Sequence, residues 1–531
     1  MVETGDWIVP RYEGRPFFDK PVLSYWLMAA AMKGLGTTPG AARLVPVLAS
    51  VGVLLAVAWL GALLFDRRTG LVGALVLATT LAFLSFARVA MSDMLLTLWT
   101  TTAAALGALA WRPRPPAWTV PALGAVLGLG FATKGPVALV VAGAALLVLL
   151  WEHRGQPIPW GPRRLGLALL AFAVLGLGWF ALVGGRLGTE PLVYFFFREN
   201  LERFAGEAYD VGRPFWFYPP AYLAEGLPWS PFLPIALWRL LRSADEGEAS
   251  RARVLALWVA IVLVPLSLSR GKIDYYLLPL YPALSLLVGR YVVAVPWRRA
   301  DRRWSRAALV LLALGLGAAL AWPPRLPAEW LPGPPAVALL ALVVATGAVL
   351  CLAAAWRPSP ARVLLTLPIV VAASWLVLVA FFLPAFVAAQ PNRAIVADVA
   401  RERRYRPDLH MAFCTDPVRV RRDVLLEVRV AAVAECDLWS LAGSREPFLL
   451  LATPAQDASF RVDPRYREVA RYRYVPAKAL TLGGLLSIRE AGEIVLGANF
   501  ETGDPQAERK RKREYRKAIQ EAKAAGAFAP K

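Results

Sequence analysis

Five stretches of this chain set carboxylates, lysines or arginines at the edges of long apolar runs. Asp19-Lys20-Pro21 follows two phenylalanines, and Asp93 closes the hexapeptide Arg88–Asp93 at the mouth of an apolar run. Lys134-Gly135-Pro136 divides a hydrophobic hairpin; Glu199, Glu202 and Arg203 share a polar loop; and Ser269-Arg270-Gly271-Lys272 precedes Asp274-Tyr275-Tyr276. Ionisable groups near membrane depth are costly unless paired or used. Taken singly, each has an ordinary explanation: an interfacial lysine snorkels, and an interfacial aspartate caps a helix. Taken together, carboxylates and several cations beside an apolar groove suit a lipid phosphate whose tail stays in the bilayer. In group transfer from such a lipid the leaving group is a phosphate, whose developing charge cations stabilise directly. A carboxylate then orients the acceptor, or takes its proton if the acceptor is a hydroxyl, and holding two membrane-bound substrates in line adds proximity.

Other chemistries find little support. The two histidines, His153 and His410, fall in a hydrophilic loop and in the C-terminal region, which argues against histidine triads and zinc sites within the membrane region. There is no phosphate-binding glycine loop of the usual kind, so no soluble nucleotide is implied. The three cysteines lack metal-ligand spacing; Cys351 lies in an apolar run, while Cys414 and Cys436 either pair or remain buried thiols. The net charge of +21 is carried by short loops and one terminal tail, not by a stripe or groove. Membrane lipids and phosphates, and not nucleic acid, are therefore the expected partners.

The elements that must hold these residues are helices in a bilayer. Of the 531 residues 57% are hydrophobic and 18% charged, with a mean hydropathy of +0.49, more apolar surface than a soluble chain of this length needs to bury. Apolar runs near the ~20 residues needed to cross a bilayer begin near 44, 70, 94, 117, 136, 165, 221, 254, 275, 306, 336 and 363. They are continuously apolar, not alternating, which predicts an α-helical polytopic membrane protein of about twelve helices and not a barrel. Alternate short loops hold Arg67/Arg68, Arg112/Arg114, Arg154/Arg163/Arg164, Arg239/Arg242/Arg251/Arg253, Arg298/Arg299/Arg302/Arg303/Arg306 and Arg357/Arg362. The others hold only Arg88, Lys134, Arg270, Lys272 and Arg325. The positive-inside rule puts the first set in the cytoplasm. The second set, outer loops at 1–40 and 186–220, and everything after about 385 then face outward.

Residues 1–388 read as the transmembrane domain. Residues 389–500 read as a small extracytoplasmic α/β domain, with β-like runs at His410–Cys414, Phe448–Ala452 and Ala479–Leu482 beside charged helical stretches such as Val418–Val430. Residues 501–531 form a basic tail, with Glu508–Lys517 as a solvated helix.

In this order the motifs resemble the bacterial aminoarabinose transferase and protein O-mannosyltransferase-like family of polyprenyl-phosphate-sugar glycosyltransferases, which have the GT-C fold. The matching stretches are Gly5-Asp6-Trp7-Ile8-Val9-Pro10, Phe17–Leu27, Ala42-Arg43-Leu44, Ser92-Asp93-Met94-Leu95, Gly128–Leu139, Arg198–Gly206, Leu227–Pro231 and Ser269–Leu284. The resemblance implies a bacterial inner-membrane transferase with an extracytoplasmic active site. It would move an aminoarabinose-like sugar or a hexose from undecaprenyl phosphate to lipid A, another glycan or a protein. Lys20 and Lys134 match lysines associated with the donor phosphate, Tyr276 a tyrosine near the donor, and Asp93 an acidic residue after a family helix. Arg203, Arg270 and Lys272 join the donor side by position. Asp19 matches an acidic position associated with metal or donor binding, so a divalent metal ion is the one cofactor to consider.

Three departures bear on mechanism. Asn200 stands where the family has His and cannot titrate. Asp19 stands where Glu is usual, one methylene shorter. The family's first helix and the Asp-Glu pair that precede its Gly-Asp-Trp motif, the first acid being its expected base, have no counterpart before Gly5; the expectation is a misplaced start or a shortened sequence. Three other readings stand beside the main one: a protein O-mannosyltransferase-like enzyme, an inactive homologue, and a non-enzymatic polyprenyl-lipid transporter. The transporter reading predicts paired halves or helices broken at mid-membrane, and no internal repeat is evident.

Overall fold

A computed structural model describes residues 1–2, 4–12, 15–202, 204, 212–294, 297–321, 331–406, 409–414, 431–433, 448–460, 466–474 and 492–498. The chain divides into two compact units, Met1–Ala318 with Val343–Ser374, and Ala319–Leu342 with Trp375–Lys531.

The first unit is helical. A short antiparallel hairpin, β1 (Arg11–Tyr12) and β2 (Arg15–Pro16), precedes α1 (Leu23–Leu35) and α2 (Pro39–Leu64). After α3 (Arg67–Ala78) and α4 (Leu81–Phe86) come α5 (Asp93–Ala110), α6 (Thr119–Lys134) and α7 (Pro136–Glu152). Long helices follow at 162–187, Glu246–Leu268, Arg299–Ala321, Pro334–Trp356 and Pro360–Val377. Some helix starts carry side-chain caps: Thr38 Oγ1 accepts from the Ala41 N–H, and Asp66 Oδ1 from the Thr69 N–H.

Among the described residues eight helices are long and apolar enough to cross a membrane, with three shorter apolar helices at 119–134, 136–152 and 230–241. The runs beginning near 70 and 221 fold differently from an unbroken span. The first stops at Thr79 and Thr80, whose hydroxyls donate back to the Leu75 and Val76 carbonyls. The second divides into Tyr218–Glu225 and Leu233–Leu241 around Pro228 and Pro231, where a cis Leu227-Pro228 peptide and a 3-10 turn intervene. Proline cannot donate to the helix ladder, which accounts for the break.

Close packing relies on small residues, as expected where lipid supplies no hydrophobic drive between helices. A Cβ on Gly70 would sit 2.1 Å from the Ala58 carbonyl oxygen, so α2 and α3 meet backbone to backbone. Outward, Leu48, Val51 and Leu55 lie exposed along α2, and Leu147 and Leu150 along α7. Such apolar faces suit acyl chains. The inward core gathers Trp229, Trp258, Phe232, Leu255 and Leu278, all buried. The Trp258 indole N–H donates to the Val141 carbonyl at 2.9 Å, and that of Trp229 to Thr79 Oγ1 at 2.9 Å.

In the second unit a five-stranded sheet has the order β4-β3-β5-β7-β6, from β3 (His410–Phe413), β4 (Ala431–Val433), β5 (Phe448–Ala452), β6 (Arg467–Tyr474) and β7 (Gly492–Ala498). β3 pairs in parallel with β4 and β5; β7 runs antiparallel to β5 and β6. Alternating side chains serve two faces. Met411, Leu449, Leu451, Ile494 and Leu496 pack with Ile395 and Val399 of the helix Asn392–Tyr405, while Ala412, Phe448, Leu450 and Tyr466 pack together on the other side. Cys414 is disulfide-bonded. Cys436, Arg325, Arg203, Val418–Val430, Ala479–Leu482 and the 501–531 tail lie outside the described residues.

Candidate functional site

Five of the expected residues, Asp19, Lys20, Asp93, Lys134 and Tyr276, meet in the first unit. Asp93 is the first residue of α5 and Lys134 the last of α6, charges that suit the positive and negative ends of the two helix dipoles. Between the same two helices, the Trp99 indole N–H donates to Thr133 Oγ1 at 3.0 Å and fixes them beside each other. Lys134 Nζ then reaches Asp93 Oδ1 at 2.5 Å, with both side chains at most 10% exposed. The same ammonium stands 5.0 Å from the centre of the Tyr276 ring. Gly135 makes the turn possible. Its φ is 62°, and a Cβ there would come within 2.6 Å of the Phe195 ring, so glycine is the residue this close approach admits.

Asp19 and Lys20 arrive from the segment before α1, which is tied down upstream. Asp6 Oδ1 accepts from the Ile8 and Val9 N–H groups and from Arg186 Nη1 at 2.9 Å. The Trp179 and Trp26 indoles donate to the Ile8 and Trp7 carbonyls. The backbone N–H of Val9 is the main cause holding the Asp6 carboxyl below its ordinary range, with help from Arg186. Gly5-Asp6-Trp7 therefore anchors the segment that delivers Asp19 and Lys20.

The other side of the site comes from Tyr194–Glu202, a wide π-helical stretch. Bonding from i to i+5 puts residues five apart on one face. The Tyr194 hydroxyl donates to Asp19 Oδ1 at 3.0 Å and lies 3.4 Å from Glu199 Oε1, while Asn200 Nδ2 donates to the Phe195 carbonyl. Glu199 is buried, and its Oε2 stands 3.9 Å from Lys20 Nζ.

Two cavities open here, and Lys20, Asp93, Lys134 and Tyr276 line both. One, of about 220 Å³, adds Ser24, Tyr25, Met28, Met91 and Tyr275. Burial first, and the Asp19 carboxylate second, push the Tyr25 phenol up, so it presents a neutral hydroxyl. The other, of about 140 Å³, adds Asp19, Glu199 and Asn200 at its polar end and Leu96, Val137, Val141 and Leu266 along the helices. Val141 lies five residues beyond Pro136 on α7, so this cavity runs roughly 7 Å into the bundle.

Arg270 and Lys272 are placed beside the cavities and line neither. The Arg270 N–H donates to the Phe204 carbonyl, and Lys272 is buried with Nζ on the Ser269 carbonyl at 2.6 Å. Tyr25 and Tyr275 sit inside motif stretches without being singled out there, and Tyr194 lies outside them; the π-helical register that recruits Tyr194 leaves no trace in side-chain periodicity. Among the described residues no three His, Cys, Asp or Glu side chains gather into a metal-sized group. Asp19 and Glu199 instead share the Tyr194 hydroxyl, and Glu199 also faces Lys20; no step below uses a metal.

Residues 19–179 match the sequence profile of the family described as dolichyl-phosphate-mannose-protein mannosyltransferase. The undecaprenyl phosphate-alpha-4-amino-4-deoxy-L-arabinose arabinosyl transferase of Pseudomonas aeruginosa (strain LESB58) is 35% identical over 303 residues, 55% of this chain and 53% of that protein. The enzyme of the same name from Pectobacterium carotovorum is 33% identical over 338 residues, 60% of this chain and 59% of its own. The chain thus spans between half and three-fifths of the length of these curated relatives. The crystal structure of ArnT from Cupriavidus metallidurans bound to undecaprenyl phosphate superposes with a TM-score of 0.70 over 95% of this chain and 92% of that one, at 20% identity. This multi-pass helical protein therefore has the GT-C fold of ArnT, and over some three hundred residues it is similar in sequence to the undecaprenyl phosphate-aminoarabinose transferases.

Proposed function

We propose that the chain is a glycosyltransferase of the bacterial inner membrane that moves a sugar, aminoarabinose-like or hexose, from undecaprenyl phosphate to lipid A or another envelope acceptor. The observation that carries this reading is the convergence of Lys20, Lys134, Asp93 and Tyr276 on two adjoining cavities, one polar at its mouth and one running along apolar helix faces. The relatives' names supply the donor class.

The apolar cavity takes the first isoprenes and presents the donor phosphate to Lys134 and Lys20. Transfer breaks the bond between the anomeric carbon and the phosphate oxygen, with the electron pair staying on phosphate, while an acceptor oxygen bonds to that carbon. Two ammonium groups beside the phosphate stabilise the departing charge. As Lys134 turns to the phosphate it releases Asp93, which orients the acceptor and takes its proton where the acceptor is a hydroxyl. Asp19 and Glu199 hold the donor sugar between Tyr194 and Lys20. Arg270, beside the cavities, adds positive charge that steers the phosphate inward, while Lys272 stays turned onto the Ser269 carbonyl.

The loop charges support an extracytoplasmic site. They also support about twelve crossings, with the shorter helices at 67–78, 119–134, 136–152 and 230–241 completing the count, and residues 389–500 as an outer α/β domain. Reconstituted protein given undecaprenyl-phosphate-linked labelled sugar and lipid A should label the lipid A. Redistribution of labelled polyprenyl lipid across the vesicle without any sugar transfer would replace this reading with a carrier.

A further inference from the structure

The stretch Tyr194–Glu202 is bonded from i to i+5, a pattern rare in proteins and frequent at functional sites. It hands the Phe195 carbonyl to residue 200, and the Asn200 side chain adds a second bond to that oxygen, from Nδ2 at 2.7 Å. A carbonyl oxygen only accepts, so the amide must turn its nitrogen to Phe195. Return to the i+4 pattern would give the same carbonyl to residue 199 and put Tyr194 and Glu199 on different faces of the helix. The Asn200 side chain therefore favours the wide turn over the ordinary one.

Phe195 bears on the site with its other end. Its ring is buried, with its centre 5.3 Å from that of Phe180 and 5.1 Å from that of Phe196. The edge of the ring covers Gly135 so closely that a Cβ there would stand 2.6 Å from Cζ and 2.9 Å from Cε1. Gly135 follows Lys134 at the end of α6 and, with φ at 62°, turns the chain into α7. Phe195 is thus held at its carbonyl by Asn200 and seats with its ring the turn that carries Lys134.

We propose that Asn200 is a positioning residue: its side-chain amide latches the wide turn, and through Phe195 and Gly135 it sets where the Lys134 ammonium stands. The functional half of this rests on the reading of the two cavities as the donor site. Asn200 borders the smaller cavity, but it acts through Phe195. The position supplies one donor to a carbonyl, and an amide does so without titrating.

The test uses full-length protein in liposomes and two variants. Asn200→Leu keeps size and neutrality but donates nothing; Phe195→Leu keeps the carbonyl but removes the ring. Hydrogen–deuterium exchange without substrate is read over residues 194–202 and 133–137. Asn200→Leu should speed exchange in both segments about tenfold, the scale of one hydrogen bond left unmade. Phe195→Leu should speed it more at 133–137 than at 194–202. Sugar transfer from an undecaprenyl-phosphate donor is the second reading. Asn200→Leu should lower it about tenfold on its own and by a clearly smaller factor in the Lys134→Ala background, because residues that act through one another are not additive. Should Asn200→Leu fail to fold, Asn200→Ala, with less bulk, takes its place in both readings. An equal factor on the two backgrounds, or residues 133–137 as protected in Asn200→Leu as in wild type, would overturn the relay. The expected exchange pattern, with no sugar moved by any form, would uphold the latch and sink the transferase reading.

Discussion

Two groups of charge brace the ends of the helix Glu246–Leu268, roughly 30 Å apart by its length, and they are finished differently. Near its start, Arg290 Nε donates to Glu248 Oε1 at 2.8 Å and Nη1 to Asp66 Oδ2 at 2.6 Å. The remaining oxygens are met too: Asp66 accepts from the Thr69 N–H and hydroxyl, and Glu248 Oε2 from the Ser243 hydroxyl. None of these residues lines either cavity. Near the helix's end, Lys134 and Asp93 form an equally short pair whose remaining hydrogen-bonding capacity faces open space. A saturated network holds loops in register. An ion pair that borders a cavity can exchange one partner for a ligand, and its desolvation cost is then recovered at the moment of binding. Buried charge alone does not separate the two; the company it keeps does.

Breaking the saturated group should give the largest effect on stability. Arg290→Met takes the cation from the largely buried Glu248 and the half-exposed Asp66 and is expected to cost about 2 kcal/mol, less than a fully buried pair because water reaches Asp66, read as a lower melting temperature, while the folded fraction keeps its transfer rate. Lys134→Ala should reverse that pattern, lowering transfer about 100- to 1000-fold, the scale for losing one charge-stabilising donor, with kcat falling more than KM rises.

Gly135→Ala sits between. Its positive φ and the Phe195 contact predict a cost of about 1–3 kcal/mol together with impaired transfer, because the turn aims Lys134. Lys20→Ala should barely move the melting temperature, since its pair with Glu199 is long and the lysine is 30% exposed; such pairs contribute about 1 kcal/mol or less. Its effect should appear in donor KM. The smallest effect is expected at Asp6. Its lowered carboxyl stabilises the N-terminal anchor above the ordinary carboxylate range, and that contribution is lost as pH falls through the folded value. Fluorescence of Trp7, Trp26 and Trp179 should report loosening on acidification, absent in Asp6→Asn.

Much of the site could be read from the chain because its residues sit at helix ends, where an isolated charge beside an apolar run stands out. Asp93 and Lys134 were marked in this way, and so was Gly135, by its place in a Lys-Gly-Pro break. Glu199 was visible as a charge in a loop, but its alliance with Tyr194 and Asp19 depends on π-helical bonding that side-chain pattern does not encode. Arg270 and Lys272 look alike in sequence to the lysines that line the cavities, yet one backbone carbonyl at Ser269 is enough to turn Lys272 inward. The apolar runs at 70 and 221 showed hydropathy but not where they break. Threonine hydroxyls at 79 and 80 bond back to the preceding turn, and the prolines at 228 and 231 lack the N–H that would carry the second helix on.

The most direct measurement is the shift in melting temperature on adding undecaprenyl phosphate to wild type, Lys134→Ala and Arg290→Met in the same detergent. Ligand that binds only the folded state raises the midpoint by an amount that grows with the logarithm of its concentration over Kd. The account predicts a clear rise for wild type, the same rise from a lower baseline for Arg290→Met, and little or none for Lys134→Ala. An undiminished rise in Lys134→Ala, or its loss in Arg290→Met alone, would contradict the division between a ligand-exchanging pair and a structural one.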